Sequence, residues 1–116
     1  MMMGQSPIEV YPAFVKRLFV NRSTDLDGLL HAAVGLSTES GECLDVVKKT
    51  WAFNKPLDTH KLTHEAGDTL FYLQALCNLL GITINQLATL NMQKLSARYP
   101  DGYNDKDASL RRDNIT

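Results

Sequence analysis

The sequence has few of the features that mark secreted, membrane or zinc-binding proteins. It contains two cysteines, Cys43 and Cys77, with no C-x-x-C pair and no histidine at the spacing of a zinc site. Both lie in apolar stretches of helical pattern, so we interpret them as small buried hydrophobic residues and not as ligands or a disulfide. No run approaches the roughly 18 apolar residues of a membrane span, and the N-terminal stretch lacks the apolar core of a signal peptide. We therefore expect a cytoplasmic protein that has no membrane partner.

An excess of charge of either sign is also missing. Lysine and arginine together number 12, aspartate and glutamate 13, and the formal net charge is −1. Nucleic acid is therefore not expected as a partner, and an anionic ligand would need local basic groups or metal ions. The 116 residues fit a single domain, residues 1–116, with 44% hydrophobic residues to form its core. Because no room remains for a separate substrate domain, an active site must lie within this fold or between copies of it.

Strand-like alternation of apolar and polar residues is absent, whereas helical periodicity recurs along the chain. The pattern predicts a short helix within residues 11–23, where Phe14, Val15, Leu18 and Phe19 follow helical spacing. It predicts longer helices over about residues 27–52, 59–80 and 84–99. The last stretch, residues 104–116, is a polar tail with too few apolar residues to assign. We therefore expect an all-α bundle of four to five helices, with its core over about residues 27–103.

Four residues give the expected starts and stops of these helices. Thr24 begins a T-x-x-D cap, and Thr83 begins a T-x-x-Q capping box with Gln86. Gly81 follows the third helix as a stop, and Pro100 ends the fourth.

The second helix is apolar on more than one side, which predicts that it lies in a bundle interior. So short a chain with this apolar surplus also suggests that a second copy covers part of the surface.

Two pairs of acidic residues interrupt otherwise apolar helix faces. Glu39 and Glu42 are three residues apart, as are Glu65 and Asp68, so each pair projects from one side of its helix. A single pair of this kind is usually a solvated helix face, but two pairs in apolar stripes favour a site. Carboxylates that converge in a partly dry interior need a positive partner, because desolvating each one unpaired costs several kcal/mol. Oxygen ligands favour Mg²⁺ over zinc. A di-iron bundle would need Glu-x-x-His, and no histidine lies three residues after either glutamate.

The order of these acids, Glu39-Ser-Gly-Glu42, then 22 residues, then Glu65-Ala-Gly-Asp68, resembles a known signature. It is similar to the E-x-x-E and E-x-x-D motifs of the all-α nucleoside triphosphate pyrophosphohydrolases, the MazG-like superfamily. The stretches "GLSTESGECLDVVKK", "HEAGDTLFYLQALCNLLGI" and "NMQKLSARYPDGY" carry the resemblance, which covers roughly residues 29–103. The first helix and the tail carry little of it.

The resemblance implies hydrolysis of a nucleoside or deoxynucleoside triphosphate between the α and β phosphates. It implies Mg²⁺, with Mn²⁺ as a substitute, on the four acids Glu39, Glu42, Glu65 and Asp68. Among these, Glu39 and Glu42 are the expected catalytic residues, and we favour Glu42 as the group that accepts the proton of the attacking water. The resemblance also implies substrate contacts from four polar residues, which are Lys61, Asn91, Lys94 and Arg98.

Three further expectations complete the sequence-based hypothesis. Trp51, at the end of the predicted second helix, would stack on the base or close the core. The apolar surplus and the habits of superfamily relatives predict a homodimer or homotetramer. The alternatives are a non-catalytic, nucleotide-binding regulatory bundle, or a related branch of the superfamily that acts on deoxyuridine triphosphate or phosphoribosyl-ATP.

Overall fold

A computed structural model describes residues 4–19 and 24–110 of the chain, and these ranges contain helices and no β-strand. The ends of the predicted first helix and of the polar tail, residues 20–23 and 111–116, lie outside the described residues, as do residues 1–3. The prediction of an all-α fold is confirmed. The five helices are α1 (Pro7–Leu18), α2 (Asp25–Phe53), α3 (Thr59–Leu80), α4 (Ile84–Arg98) and α5 (Asp105–Leu110).

Three of the predicted capping signals coincide with helix ends in the structure. The Thr24 hydroxyl oxygen accepts a hydrogen bond from the Asp27 amide at 3.1 Å, so α2 begins at Asp25, two residues before the predicted start. Thr83 and Gln86 form the expected capping box, with reciprocal bonds of 3.0 and 2.9 Å. Gly81 ends α3 in the left-handed conformation, at a φ of +70°.

Helix α5 occupies part of the tail that the sequence left unassigned. Asn104 precedes it, and its side-chain oxygen accepts a hydrogen bond from the Asp107 amide at 2.7 Å. An asparagine directly before a helix is a preferred N-cap, so this residue was the signal that could have located α5.

Helices α2 and α3 pack against each other as an antiparallel pair. Residues later in α2 lie against residues earlier in α3. Gly35 lies against the ring of Tyr72, and the Cys43 sulfur lies 3.9 Å from the Thr69 hydroxyl. Gly35 allows this approach because it has no Cβ, and a Cβ at this position would overlap the Tyr72 ring. This register brings the acidic segments of the two helices side by side.

Helix α1 completes the small core of this three-helix unit. Val15 of α1 is fully buried with Ala32 of α2 and Ala75 of α3. The Asn78 side-chain amide donates a hydrogen bond to the carbonyl oxygen of Pro12 at 3.0 Å, which attaches α3 to α1. Because a buried polar group must be paired, this contact fixes where α1 lies along α3.

The chain divides into two compact units, one through Gly81 with α1–α3 and one from Ile82 with α4 and α5. Each is described by itself. In the second unit no residue of α4 is fully buried, whereas Asp107 of α5 is 7% exposed. Among the residues described, no single helix has the length and apolar character that a membrane crossing requires. Helices α3 and α4 reach that length and composition only when they are counted together.

One side of α2 remains uncovered along almost its whole length. Leu26, Leu30, Leu44 and Val47 are 74%, 60%, 67% and 44% exposed, and the three leucines lie on the side opposite Gly35 and Val46. The expectation that this helix is buried on more than one side is therefore wrong for the single chain. The reason is geometric, because α3 and α1 cover only the other side.

Candidate active site

Three carboxylates from two helices meet on the α2–α3 pair. One oxygen each from Glu39, Glu65 and Asp68 lies within 4.8 Å of the other two. Glu65 and Asp68 are three residues apart, so they share a side of α3, and the antiparallel register brings Glu39 of α2 opposite them. Glu39 and Glu65 are half-buried, whereas Asp68 is exposed. The group is therefore partly screened from water and open on one side.

The charges of this group act on one another. The pKa of Glu39 is raised, first by its partial burial and then by the negative charges of Asp68 and Glu65. A hydrogen bond with Glu65, which needs a proton on one of the two carboxyls, and the charge of Glu42 raise it further. A cation bound among these carboxylates would relieve the same repulsion.

The donor set fits a hard divalent cation. All three groups offer carboxylate oxygens, which Mg²⁺, Ca²⁺ and Mn²⁺ prefer, and no sulfur or imidazole belongs to the group.

Glu42, the fourth acid of the predicted set, does not belong to the three-residue group. It is exposed and lies one turn beyond Glu39 on α2, near enough for its charge to raise the pKa of Glu39. Residues three apart differ by about 60° around the helix axis. The rotation that directs Glu39 toward α3 therefore leaves Glu42 at the edge of the site, next to the group and not inside it.

Comparison with protein families identifies the domain that contains these residues. A model of the MazG nucleotide pyrophosphohydrolase domain matches residues 29–103, more than half of the chain. The chain belongs to the MazG family. This family comprises nucleotide pyrophosphohydrolases, which are hydrolases that act on acid anhydrides and generally depend on a divalent metal. No curated protein and no solved structure matches the chain.

Two other predicted site residues of the MazG domain lie in the first unit. Lys61 is exposed on the first turn of α3, four residues before Glu65, so it continues the acidic side of that helix. Its charge reaches Asp45 on α2 and contributes to the lowered pKa of that residue, after the hydrogen bond and the charge of Lys49. Trp51 is 85% exposed on the last turns of α2, so it does not close the core of the single chain.

The predicted substrate contacts in the fourth helix belong to the second unit. Asn91 and Lys94 are exposed on α4, and Arg98 is half-buried at its last residue. The three residues are three and four positions apart, which sets them on one side of the helix. The Arg98 guanidinium lies over the ring of Tyr99, 5.7 Å from its centroid. A role for these three residues at the acidic group stays a prediction.

One residue near the site was not found from the sequence. Tyr11 of α1 is half-buried, and its pKa is raised first by burial and then by the negative charge of Asp68. Its ring packs on Phe14 with centroids 6.2 Å apart. Tyr11 is far from the acids in the sequence, and no local pattern indicates that α1 would bring it near them.

Proposed function

We propose that this MazG domain hydrolyses a nucleoside or deoxynucleoside triphosphate between its α and β phosphates, releasing the monophosphate and pyrophosphate. The observation that carries the proposal is the approach of Glu39, Glu65 and Asp68 to within 4.8 Å of one another in a chain of this family. Mg²⁺ is the proposed cofactor, with Mn²⁺ as a substitute, because both take oxygen ligands.

The protein's own groups would divide the work between binding the cation and handling a proton. Glu39, Glu65 and Asp68 would hold the ion, which when bound supplies positive charge for the phosphate oxygens and for the charge that develops during phosphoryl transfer. Glu42 lies beside this group but outside it, so its carboxylate stays available to accept the proton of the attacking water. This difference between Glu39 and Glu42 supports the role that the sequence suggested for Glu42.

Basic and aromatic residues would contact the rest of the substrate. A chain with a net charge of −1 and a carboxylate site needs local positive groups to bind a polyphosphate. We assign that role to Lys94 and Arg98, with Asn91 as a hydrogen-bond partner and Lys61 beside the acids. An arginine can bind a phosphate through two parallel hydrogen bonds. Trp51 offers an exposed aromatic face on which a base can stack.

A second copy of the chain is the proposed partner for the uncovered side of α2. Leu26 and Leu30 are exposed near the start of this 29-residue helix, and Leu44 and Val47 are exposed near its end. Exposed apolar side chains at both ends of one helix favour an interaction site, so we propose a homodimer or homotetramer. Replacing Leu44 by lysine should raise the monomer fraction in sedimentation at micromolar concentration. A wild-type chain that sediments as a monomer under those conditions contradicts the assembly.

Two free thiols and a triphosphate substrate are compatible with the cytoplasm.

The test of the activity is a pyrophosphate-release assay with Mg²⁺ across canonical and modified triphosphates. Glu42→Gln should lower kcat/KM by about 10²–10⁴, the contribution of a positioned acid or base. Glu39→Gln and Asp68→Asn should also lower kcat/KM, because each removes a ligand of the ion. Asp45→Asn is the matched control, because Asp45 is an acid on α2 that pairs with Lys49 at 3.0 Å and lies outside the group. Equal activity in the control and in Asp68→Asn would contradict the assignment.

The same panel separates the alternatives. A non-catalytic regulatory bundle predicts a nucleotide-dependent rise in melting temperature with no pyrophosphate released from any substrate. Turnover confined to deoxyuridine triphosphate or to phosphoribosyl-ATP would assign the chain to a related branch. Base and sugar selectivity depends on pocket shape, so the panel and not the motif decides between them.

A further inference from the structure

Two histidines near the start of α3 have no part in the proposed hydrolysis. His60 and His64 are four residues apart, so they project from the same side of the helix. Both are exposed, and their rings lie close together, with centroids 4.5 Å apart and an angle of 55° between the ring planes. The pair is therefore open to solvent and already held within one turn.

We propose that His60 and His64 form a second metal site, separate from the carboxylate group, for a borderline-soft divalent cation such as Zn²⁺ or Ni²⁺. Imidazole nitrogen suits these ions and not Mg²⁺. Histidines four residues apart on a helix are a known arrangement for binding one zinc ion. One nitrogen of each ring must come within about 2.0–2.1 Å of a shared zinc ion, so the two rings must be neighbours. Water would fill the remaining positions, because no third side chain joins the pair among the described residues.

The surroundings favour a cation at this position. His60, His64 and Asp68 follow one another at intervals of four residues, so the pair lies along the same side of α3 as the exposed carboxylate of Asp68. That negative charge raises the local concentration of cations. Asp58 adds a second carboxylate at the start of the helix, where it accepts a hydrogen bond from the Lys61 amide at 2.9 Å. Lys61, which lies three residues before His64 on the same helix, opposes binding with its positive charge.

The two sites differ in the ions they prefer, and this difference makes the proposal testable. The carboxylate group takes hard ions through oxygen, whereas the histidine pair takes softer ions through nitrogen. Saturating Mg²⁺ should therefore occupy the first site and leave the second free. A bound ion would also bridge the first two turns of α3 and stabilise the folded chain.

The experiment is a calorimetric titration of the full-length chain, produced without a histidine tag, with ZnCl₂ and with NiCl₂ in buffer that contains saturating Mg²⁺. Wild-type protein should bind one ion per chain at this site. The double variant His60→Gln/His64→Gln should lose at least about tenfold in affinity, since even residues that only orient metal ligands change affinity by that much. His31→Gln is the matched control and should bind like wild type, because His31 lies on α2 against Phe19 and Tyr72.

Two outcomes would overturn the proposal. One is equal affinity in wild type and in the double variant. The other is a loss in Asp68→Asn as large as in the double variant, which would mean that the carboxylate group holds the ion. The single variants His60→Gln and His64→Gln, with circular dichroism to confirm folding, give the answer if the double variant is unstable. Because the readout is binding, the result does not depend on whether the chain hydrolyses triphosphates.

Discussion

Replacing Gly35 by alanine tests how closely α2 and α3 approach. A Cβ at this position would overlap the ring of Tyr72, whose Cγ atom would lie 2.6 Å away. The ring has little freedom to move, because its centroid lies 6.0 Å from that of His31 and 5.2 Å from that of Phe71. Overpacking costs about 1–3 kcal/mol. Alanine gains about 0.8–1.0 kcal/mol over glycine in a helix interior. With a clash in the upper part of that range, we expect a net loss of about 1–2 kcal/mol.

Gly41→Ala is the matched control for this prediction. Gly41 lies in the same helix, and a Cβ there would meet nothing within 4 Å. It should therefore show the helix-propensity gain alone, about 0.8–1.0 kcal/mol. The measurement is urea unfolding followed by circular dichroism, at one protein concentration for all variants because association shifts apparent stability. If Gly35→Ala is as stable as Gly41→Ala, the helices are further apart than described, and the opposition of Glu39 to Glu65 loses its basis.

Three further predictions concern single contacts. Asn78→Ala should lower the free energy of unfolding by about 1–3 kcal/mol, because the buried Gln74 amide loses its acceptor and the carbonyl of Pro12 loses the Asn78 donor; an unchanged urea midpoint would contradict these bonds. Thr83→Ala should cost about 1 kcal/mol through the lost cap of α4, whereas Thr83→Ser should not; equal losses in both variants would exclude capping as the cause. Without metal, the free energy of unfolding should fall as pH rises from the ordinary pKa of glutamate through the raised pKa of Glu39. The folded chain holds the extra proton over that interval, so Glu39→Gln should flatten the fall in urea titrations, and an unchanged slope would contradict the repulsion.

The sequence predicted the helices well where local chemistry decides their ends. The bounds of α3 follow from its apolar period and from Gly81, and the start of α4 follows from the reciprocal bonds of Thr83 and Gln86. Both signals act within one turn, so they are present in the sequence alone. Helix α5 was not predicted, because a six-residue helix shows too little periodicity, although Asn104 marked its start.

The candidate site was predictable in composition but not in its detailed geometry. The spacing within each acidic pair places its members on one side of a helix, and this holds for any register of α2 against α3. Which of Glu39 and Glu42 faces α3 depends on the rotation of α2, which Gly35 and Tyr72 set from another part of the chain. The approach of Tyr11 to Asp68 likewise depends on how α1 packs, and that contact has no local signature.

The two sides of α2 explain why its pattern was hard to interpret. The hydrophobic effect is not directional. A periodic apolar side of a helix therefore predicts that the side is buried, but not whether the same chain or another chain buries it. On α2 the side with Gly35, Val46 and Glu39 packs on α3 and holds the acids, whereas the side with Leu30 and Leu44 is exposed. If a second copy covers that exposed side, as we propose, assembly and chemistry are set by opposite sides of one helix. Leu44→Lys should then weaken assembly and leave the carboxylate group intact. Asp68→Asn should remove a carboxylate and leave assembly unchanged.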